Sequence, residues 1–262
     1  MGEIEFFDSH GHYDDEKFEV DRDVLINSMY KENITGIINA GYDEKSSEKA
    51  VTLAKKYSFI YSTSGISPND YVKDYKLEKI YELAKSVKNV AIGEIGLDYY
   101  WNKENKEEQK KLFIEQIELA NDLKLPIVIH NREADQDTVD IIKNTKKSFK
   151  SGVFHCCSLE VELVKEVLKL EYYISIAGPI TYKNAKKVLE VVKYVPLEKI
   201  LIETDAPYLS PEPYRGTRND ARNLKFIAGK IAEIKNVTIN EVASITYKNT
   251  KRIFEINEHT LN

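Results

Sequence analysis

Ile4-Glu5-Phe6-Phe7-Asp8-Ser9-His10-Gly11-His12 decides how the chain is read, because a short β-prone run is followed at once by two histidines one residue apart. In extended backbone, residues two apart point to the same side. Both imidazoles can therefore reach one ion at the mouth of a strand. The plainer alternative is a pair of core or surface histidines, and only the context of the motif separates the two.

That context recurs along the chain. Further β-branched and aromatic runs appear at TGIINAG (35–41), FIYSTSG (59–65), VAIGEIG (90–96), PIVIH (126–130), GVFH (152–155), YYISIAG (172–178) and KILIET (199–204), which with IEFF (4–7) makes eight. Between them lie charged segments such as DEKSSEKAVTLAKKY and KEEQKKLFIEQIELANDLK, with apolar residues three or four apart and Lys and Glu on the opposite face. From about Asn219 to Ile256 the chain reads as two or three closing helices. Strand then helix, repeated eight times, predicts parallel crossover units and an α/β TIM (β/α)8 barrel formed by residues 1–262 as a single domain. A doubly wound open sheet is the competing arrangement, but the Gly-rich phosphate loop usual there does not follow the first run.

His10, His12, His130 and His155 close such runs, as do the acids Glu94 and Asp205. Divalent ions are held by neutral imidazoles and carboxylates, and donors spread from residue 10 to residue 205 converge only if the fold gathers strand ends at one rim. A β/α barrel does this at its C-terminal face. Glu94 lies among small and apolar neighbours in VAIGEIGLDYYW, where a carboxylate is costly unless paired or metal-bound, and is expected to bridge two cations. Asp98 is the alternative for that role, but its place after Gly96 predicts a loop. Asp8 is expected to hold an imidazole N–H and set its tautomer. Of Glu203 and Asp205, Asp205 stands one step nearer the rim. It is expected to join His10 and His12 on one ion and to accept a proton from the attacking water. Glu203 is expected to orient the site from behind, with an internal salt bridge as the alternative.

Arg132, Arg215 and Arg218 are candidates for gripping phosphate through paired hydrogen bonds. Tyr99, Tyr100 and Trp101 are either a stacking wall for a nucleobase or core packing. Cys156 and Cys157 are adjacent, which rules out an ordinary loop-stapling disulfide and fits a reducing compartment. They read as packing residues, since zinc thiolate sites use spaced cysteines. His259, in the polar tail, is given no role.

The chain carries 38 Lys and Arg against 43 Asp and Glu, a net charge of −5. No global basic field exists to coat nucleic acid, so any phosphate must be attracted locally, for which bound cations suffice. Apolar runs are too short and too interrupted by charge to span a membrane, and MGEIEFFDSHGHYD has no basic segment followed by a hydrophobic one. A cytoplasmic protein is expected. Nothing in the sequence points to a protein partner.

Taken jointly, DSHGH, GEIGLDYY, IHNR, FHC and ETDAPYL with YRGTRN resemble the TatD family of metal-dependent hydrolases, from about residue 6 to 254. The resemblance implies a TIM barrel with a two-metal site and DNase activity, commonly exonucleolytic. Carried over by position, His10, His12 and Asp205 match ligands of one ion, His130 and His155 match ligands of the other, and Glu94 matches the bridge. The family usually shows G-x-H-P-H after the third strand, where this chain reads Gly65-Ile66-Ser67-Pro68-Asn69. Both histidines, which the resemblance places beside the substrate phosphate, are replaced, so rate and substrate choice are expected to differ while the metal shell stays whole. A second departure, Cys157 and Leu159 where the family tends to H-C-F-S-G, alters a loop.

The expected activity is hydrolysis of phosphodiester bonds in DNA by water activated on two divalent ions; the donors do not distinguish Mg²⁺, Mn²⁺ and Zn²⁺. Hydrolysis of an ester, lactone or amide is the alternative on the same barrel, though many such enzymes use a strand-four lysine where this chain has Glu94. A non-catalytic metal or nucleic-acid binding protein, which would retain DNA without product, is a third.

Overall fold

The computed structural model describes residues 4–145 and 151–256; His259 lies outside the described residues. Eight strands form one sheet in sequence order, β1 (Phe6–Gly11), β2 (Ile34–Ala40), β3 (Ile60–Ser64), β4 (Asn89–Asp98), β5 (Ile127–Arg132), β6 (Gly152–Phe154), β7 (Tyr173–Ile176) and β8 (Ile200–Ile202), each parallel to the next. Helices alternate with them: α1 (Arg22–Met29), α2 (Glu44–Lys56), α3 (Leu77–Ala84), α4 (Lys106–Leu123), α5 (Asp135–Thr145), α6 (Val161–Lys169), α7 (Lys186–Tyr194), then α8 (Leu224–Lys235) and α9 (Ile239–Ile253) after β8. This is a TIM barrel. Each run read as a strand corresponds to one, because a strand covered by helices outside and side chains inside is apolar on both faces.

The sheet closes through side chains as much as through backbone. Between β1 and the segment after β8, Asp205 N donates to the His10 carbonyl (3.0 Å) and His12 N to the Ala206 carbonyl (2.6 Å). Asp8, wholly buried on β1, accepts from Thr204 N (2.9 Å), Thr204 Oγ1 (2.6 Å) and Tyr13 Oη (3.2 Å). This corrects the expectation that Asp8 holds an imidazole N–H: its side chain latches the first strand to the chain beyond the last.

Asp98 is a second correction. It ends β4 rather than lying in a loop, with pairing continuing through Leu97↔Asn131 and Asp98↔Arg132. Gly96 permits this, since at φ +144 a Cβ there would collide with the His130 carbonyl oxygen. At the other end of the barrel an apolar cluster draws on all eight strands, with Phe7, Ile38, Tyr61, Val128, Val153 and Leu201 among its members, and meets Ile253, Phe254 and Ile256 at the end of α9. On β1, β5 and β6 the members Phe7, Val128 and Val153 precede His10, His130 and His155, so the barrel is packed at its N-terminal end and opens at the C-terminal one. Among the described residues no helix is long and apolar enough to cross a membrane.

Replacing Asp8 with Asn would turn an amide donor toward groups that are themselves donors. The D8N variant should lose about 1–3 kcal/mol of unfolding free energy in urea titrations run with chelator. An unshifted midpoint would show that closure rests on the backbone bridge alone.

Candidate metal centre

β1 places His10 on its inner side and His12 just past its end, with Nε2 atoms 3.3 Å apart. His12 Nδ1 lies 2.9 Å from the Ala40 carbonyl. A carbonyl only accepts, so Nδ1 carries a proton and Nε2 is the nitrogen turned to the centre. His130, on β5, is turned the other way round. Its Nε2 lies 2.9 Å from Asp98 Oδ2, while Nδ1 faces His155 Nε2 at 3.2 Å. Asp98 also accepts from the Asn69 amide (3.1 Å) and the backbone of Tyr100 (2.9 Å) and Trp101 (3.0 Å). Burial would raise its pKa, but His130, the Trp101 amide and Asn69 hold it at about 2. It therefore stays an anion and keeps the His130 proton on Nε2.

Glu94, on β4, divides its carboxylate between the two histidine pairs. Oε2 lies 3.4 Å from His10 Nε2 and 3.6 Å from His12 Nε2. Oε1 lies 2.8 Å from His130 Nδ1 and 3.4 Å from His155 Nε2. Asp205 Oδ1 completes the first group, 3.4 Å from His12 Nε2 and 3.8 Å from His10 Nε2. The donors of His10, His12 and Asp205 lie within 4.8 Å of one another, and so do those of Glu94, His130 and His155. The His10 and His155 rings stack at 4.1 Å between the two groups.

Asp205 and His155 both lie just beyond a strand rather than in one, at positions where the backbone turns away: Asp205 has φ 56 and Cys156, next to His155, has φ 39. Left-handed backbone at non-glycine residues is uncommon and tends to occur where side-chain placement matters. Glu203 is fully buried behind the cluster, accepting from Cys156 N (2.7 Å) and lying 3.4 Å from His155 Nδ1.

Charge balance supports a cation here. Burial opposes ionisation of Glu94, yet His155, His10 and His130 hold its carboxyl well below the usual range. Burial likewise pushes His12 down, and Asp205 with Glu94 more than reverses it, to about 9. Such a buried group of carboxylates needs positive charge among the imidazoles, supplied by protons or by metal. Buried His10 Nδ1, His155 Nδ1 and Glu203 Oε2 have no hydrogen-bond partner among the described residues. The donors are nitrogen and oxygen and converge in overlapping groups, His10 with His155 and Glu203 being a third, which is a set that fits divalent cations.

This cluster forms the floor of a cavity of about 1140 Å³. Arg132 lies in its wall, the guanidinium 3.9 Å from the Tyr100 ring centroid and 5.4 Å from that of Trp101. Arg215 packs 4.3 Å from the ring of Tyr182, another wall residue. Arg218 is not brought to the cavity: Asp21 holds its guanidinium through two bonds of 2.7 and 2.6 Å. Tyr99 is no stacking wall, since it is buried in the core with its hydroxyl on Asp137 (2.7 Å), whereas Tyr100 and Trp101 are exposed. Ser67, Asn69, Cys156 and Cys157 line the cavity. Asp98 is the residue whose part the sequence did not reveal; its even spacing from Glu94 along one strand was the available signal.

A family model described as TatD related DNase matches residues 7–255. The chain belongs to that family. It is 42% identical over 253 residues to the uncharacterized metal-dependent hydrolase YabD of Bacillus subtilis, covering 96% of this chain and 99% of the relative. It is 36% identical to the uncharacterized metal-dependent hydrolase MJ1582 of Methanocaldococcus jannaschii, covering 97% and 99%. Among solved structures, the TatD homologue YJJV of Escherichia coli superposes with TM-score 0.90 at 26% identity, covering 97% of this chain and 99% of that one. As a member of the TatD family, the chain is a metal-dependent hydrolase.

Titrating the protein with Mn²⁺ or Zn²⁺ should raise its thermal midpoint, by about 3 kcal/mol of added stability at a hundredfold excess over Kd, and chelator should reverse this. D98N, which leaves His130 without its anionic partner, should weaken binding of one equivalent by about 10- to 100-fold in calorimetry. Equal affinity in D98N and wild type would remove Asp98 from that part.

Proposed function

We propose that this TatD-family hydrolase cleaves phosphodiester bonds in DNA, releasing nucleotides from an end, at a site holding two divalent cations. The reading rests on one observation: the two oxygens of Glu94 face separate histidine pairs on the floor of a cavity whose wall carries Arg132. Two cations bound by His10, His12 and Asp205 on one side and His130 and His155 on the other, with Glu94 between, would acidify water and offset charge building on the phosphate. Mg²⁺, Mn²⁺ and Zn²⁺ all suit such donors.

The side chains supply the rest. Asp205, nearest the open side, takes the proton from the attacking water. Arg132 holds a nonbridging phosphate oxygen, and its stacking on Tyr100 keeps the guanidinium in place. Arg215, packed on the wall residue Tyr182, is a second candidate for holding phosphate. Glu203 keeps His155 and the Cys156 backbone in register from behind. A net charge of −5 is no obstacle, because cations pack on rings beside the cavity: Arg132 on Tyr100, Arg215 on Tyr182 and Lys17 over Tyr208 (4.2 Å). The adjacent thiols of Cys156 and Cys157 accord with a cytoplasmic setting.

Wild-type protein with Mn²⁺ should shorten 5′- or 3′-labelled oligonucleotides and stop on addition of chelator, while a panel of esters and lactones is hydrolysed far more slowly. D205N should retain its fold while losing about 100-fold or more in kcat. Preferred hydrolysis of an ester or lactone, or DNA retained on the protein without product, would overturn the proposal.

A further inference from the structure

Charge is spread unevenly around the mouth of the barrel. The connections after β1 and β2 are acidic, with Asp15, Glu16 and Glu19 against Lys17 in the first and Asp43 and Glu44 against Lys45 in the second. Asp70, after β3, lines the cavity itself. The part beyond β7 and β8 has the opposite sign. From residue 178 to residue 187 the chain carries Lys183, Lys186 and Lys187 and no acid, and Arg215 lies in the connection after β8.

Some of these cations are already spent. Lys187 is taken up by Glu160 (3.1 Å) and Asp135 (3.4 Å), and Arg218 by Asp21 (2.6 Å). Lys183, Lys186 and Arg215 are exposed and make no ion pair among the described residues. They stand on a fixed lip. The Tyr182 hydroxyl donates to the Ser210 carbonyl (2.9 Å), and Thr181 Oγ1 accepts from Glu212 N (2.8 Å), which ties the β7–α7 connection to the one after β8. The Arg215 guanidinium rests 4.3 Å from the centre of the Tyr182 ring. Lys183 and Lys186 flank Asn184 and Ala185, both of which line the cavity, so the lip continues outward from its wall.

We infer that this lip, Lys183 and Lys186 with Arg215, is a docking surface for the sugar-phosphate backbone of the DNA chain beyond the reacting bond. The inference rests on the DNA reading above for the chemistry of its ligand, and adds where the rest of the strand lies. A polyanion leaving the metal centre meets carboxylates on the side of β1 to β3 and unpaired cations on the side of β7 and β8, so it runs outward over the latter. Each phosphate neutralised there releases counterions, and affinity then falls with salt by a logarithmic slope of about 0.7 per contact on a single strand. A ligand short enough to stay on the cavity floor gains nothing from the lip.

Two phosphorothioate probes that resist hydrolysis, a thymidine dinucleotide and a strand of about 12 thymidines, within the span one groove covers, separate floor from lip when titrated into the Mn²⁺-loaded protein in a calorimeter. Lys183→Glu with Lys186→Glu should weaken the long probe by about 10-fold or more and lower its salt slope by about 1.4, leaving the dinucleotide within about 2-fold. Lys186→Glu puts a carboxylate in the first turn of α7, where the helix dipole favours one, so the fold is kept; Lys183→Ala with Lys186→Ala gives the same test should the first pair not fold. Lys55→Glu with Lys169→Glu, exposed in the last turns of α2 and α6, makes the same change in net charge and should leave both probes within about 2-fold. Undiminished binding of the long probe by the folded lip variant, or an equal loss in the Lys55 and Lys169 variant, would overturn the docking surface. A protein that shortens oligonucleotides yet shows either result loses the surface and keeps the nuclease. One whose long-probe affinity depends on Lys183 and Lys186 but which releases no nucleotide retains the surface and loses the nuclease.

Discussion

A carboxylate is held inside the barrel of this protein with an oxygen turned to each of two pairs of imidazoles. Glu94 can stay ionised there only because positive charge, as protons or as metal, balances it; burying an uncompensated charge would cost several kcal/mol, roughly, even after relaxation. The surroundings follow from that requirement. β4 is long and buried throughout, so it carries Glu94 to the centre and Asp98 on to the rim. Gly96 lets β5 come close enough to bring His130 alongside both. β1 delivers His10 and His12 from the far side, and the latch from Asp8 to Thr204 holds the Asp205 segment against them.

The two halves of the centre are fixed by different means. On the β1 side a backbone carbonyl sets the tautomer of His12, while on the β5 side a carboxylate with four donors around it sets that of His130. The second arrangement reaches outward. Asp98 takes the backbone amides of Tyr100 and Trp101, so the aromatic lip on which Arg132 rests is tied to the same group that orients the His130 imidazole. Asn69 joins this network as an amide donor. It stands where the family usually has a histidine, and unlike an imidazole it cannot lose its donor function by titrating.

TatD-family relatives at 36 to 42% identity share the description of metal-dependent hydrolase, and the features just described account for that much. Above the centre, Arg132 against Tyr100 and Trp101 stands in a cavity wall that also carries Ile176, Ala177 and Ile180.

The barrel and the six central donors could be read before any coordinates, because both are local properties of the chain. A parallel strand buried on two faces must be a short apolar run, and a donor at the C-terminal rim must lie late in one or just after it. Asp8, Asp98, Tyr99 and Arg218 could not be read this way. Each has a partner distant in sequence: Thr204 for Asp8, His130 and Asn69 for Asp98, Asp137 for Tyr99 and Asp21 for Arg218. Whether a charged or aromatic side chain latches a barrel, orients a ligand, packs or grips substrate depends on what the fold sets within about 3 Å of it, the reach of a hydrogen bond. Residue type and spacing along the chain do not contain that distance.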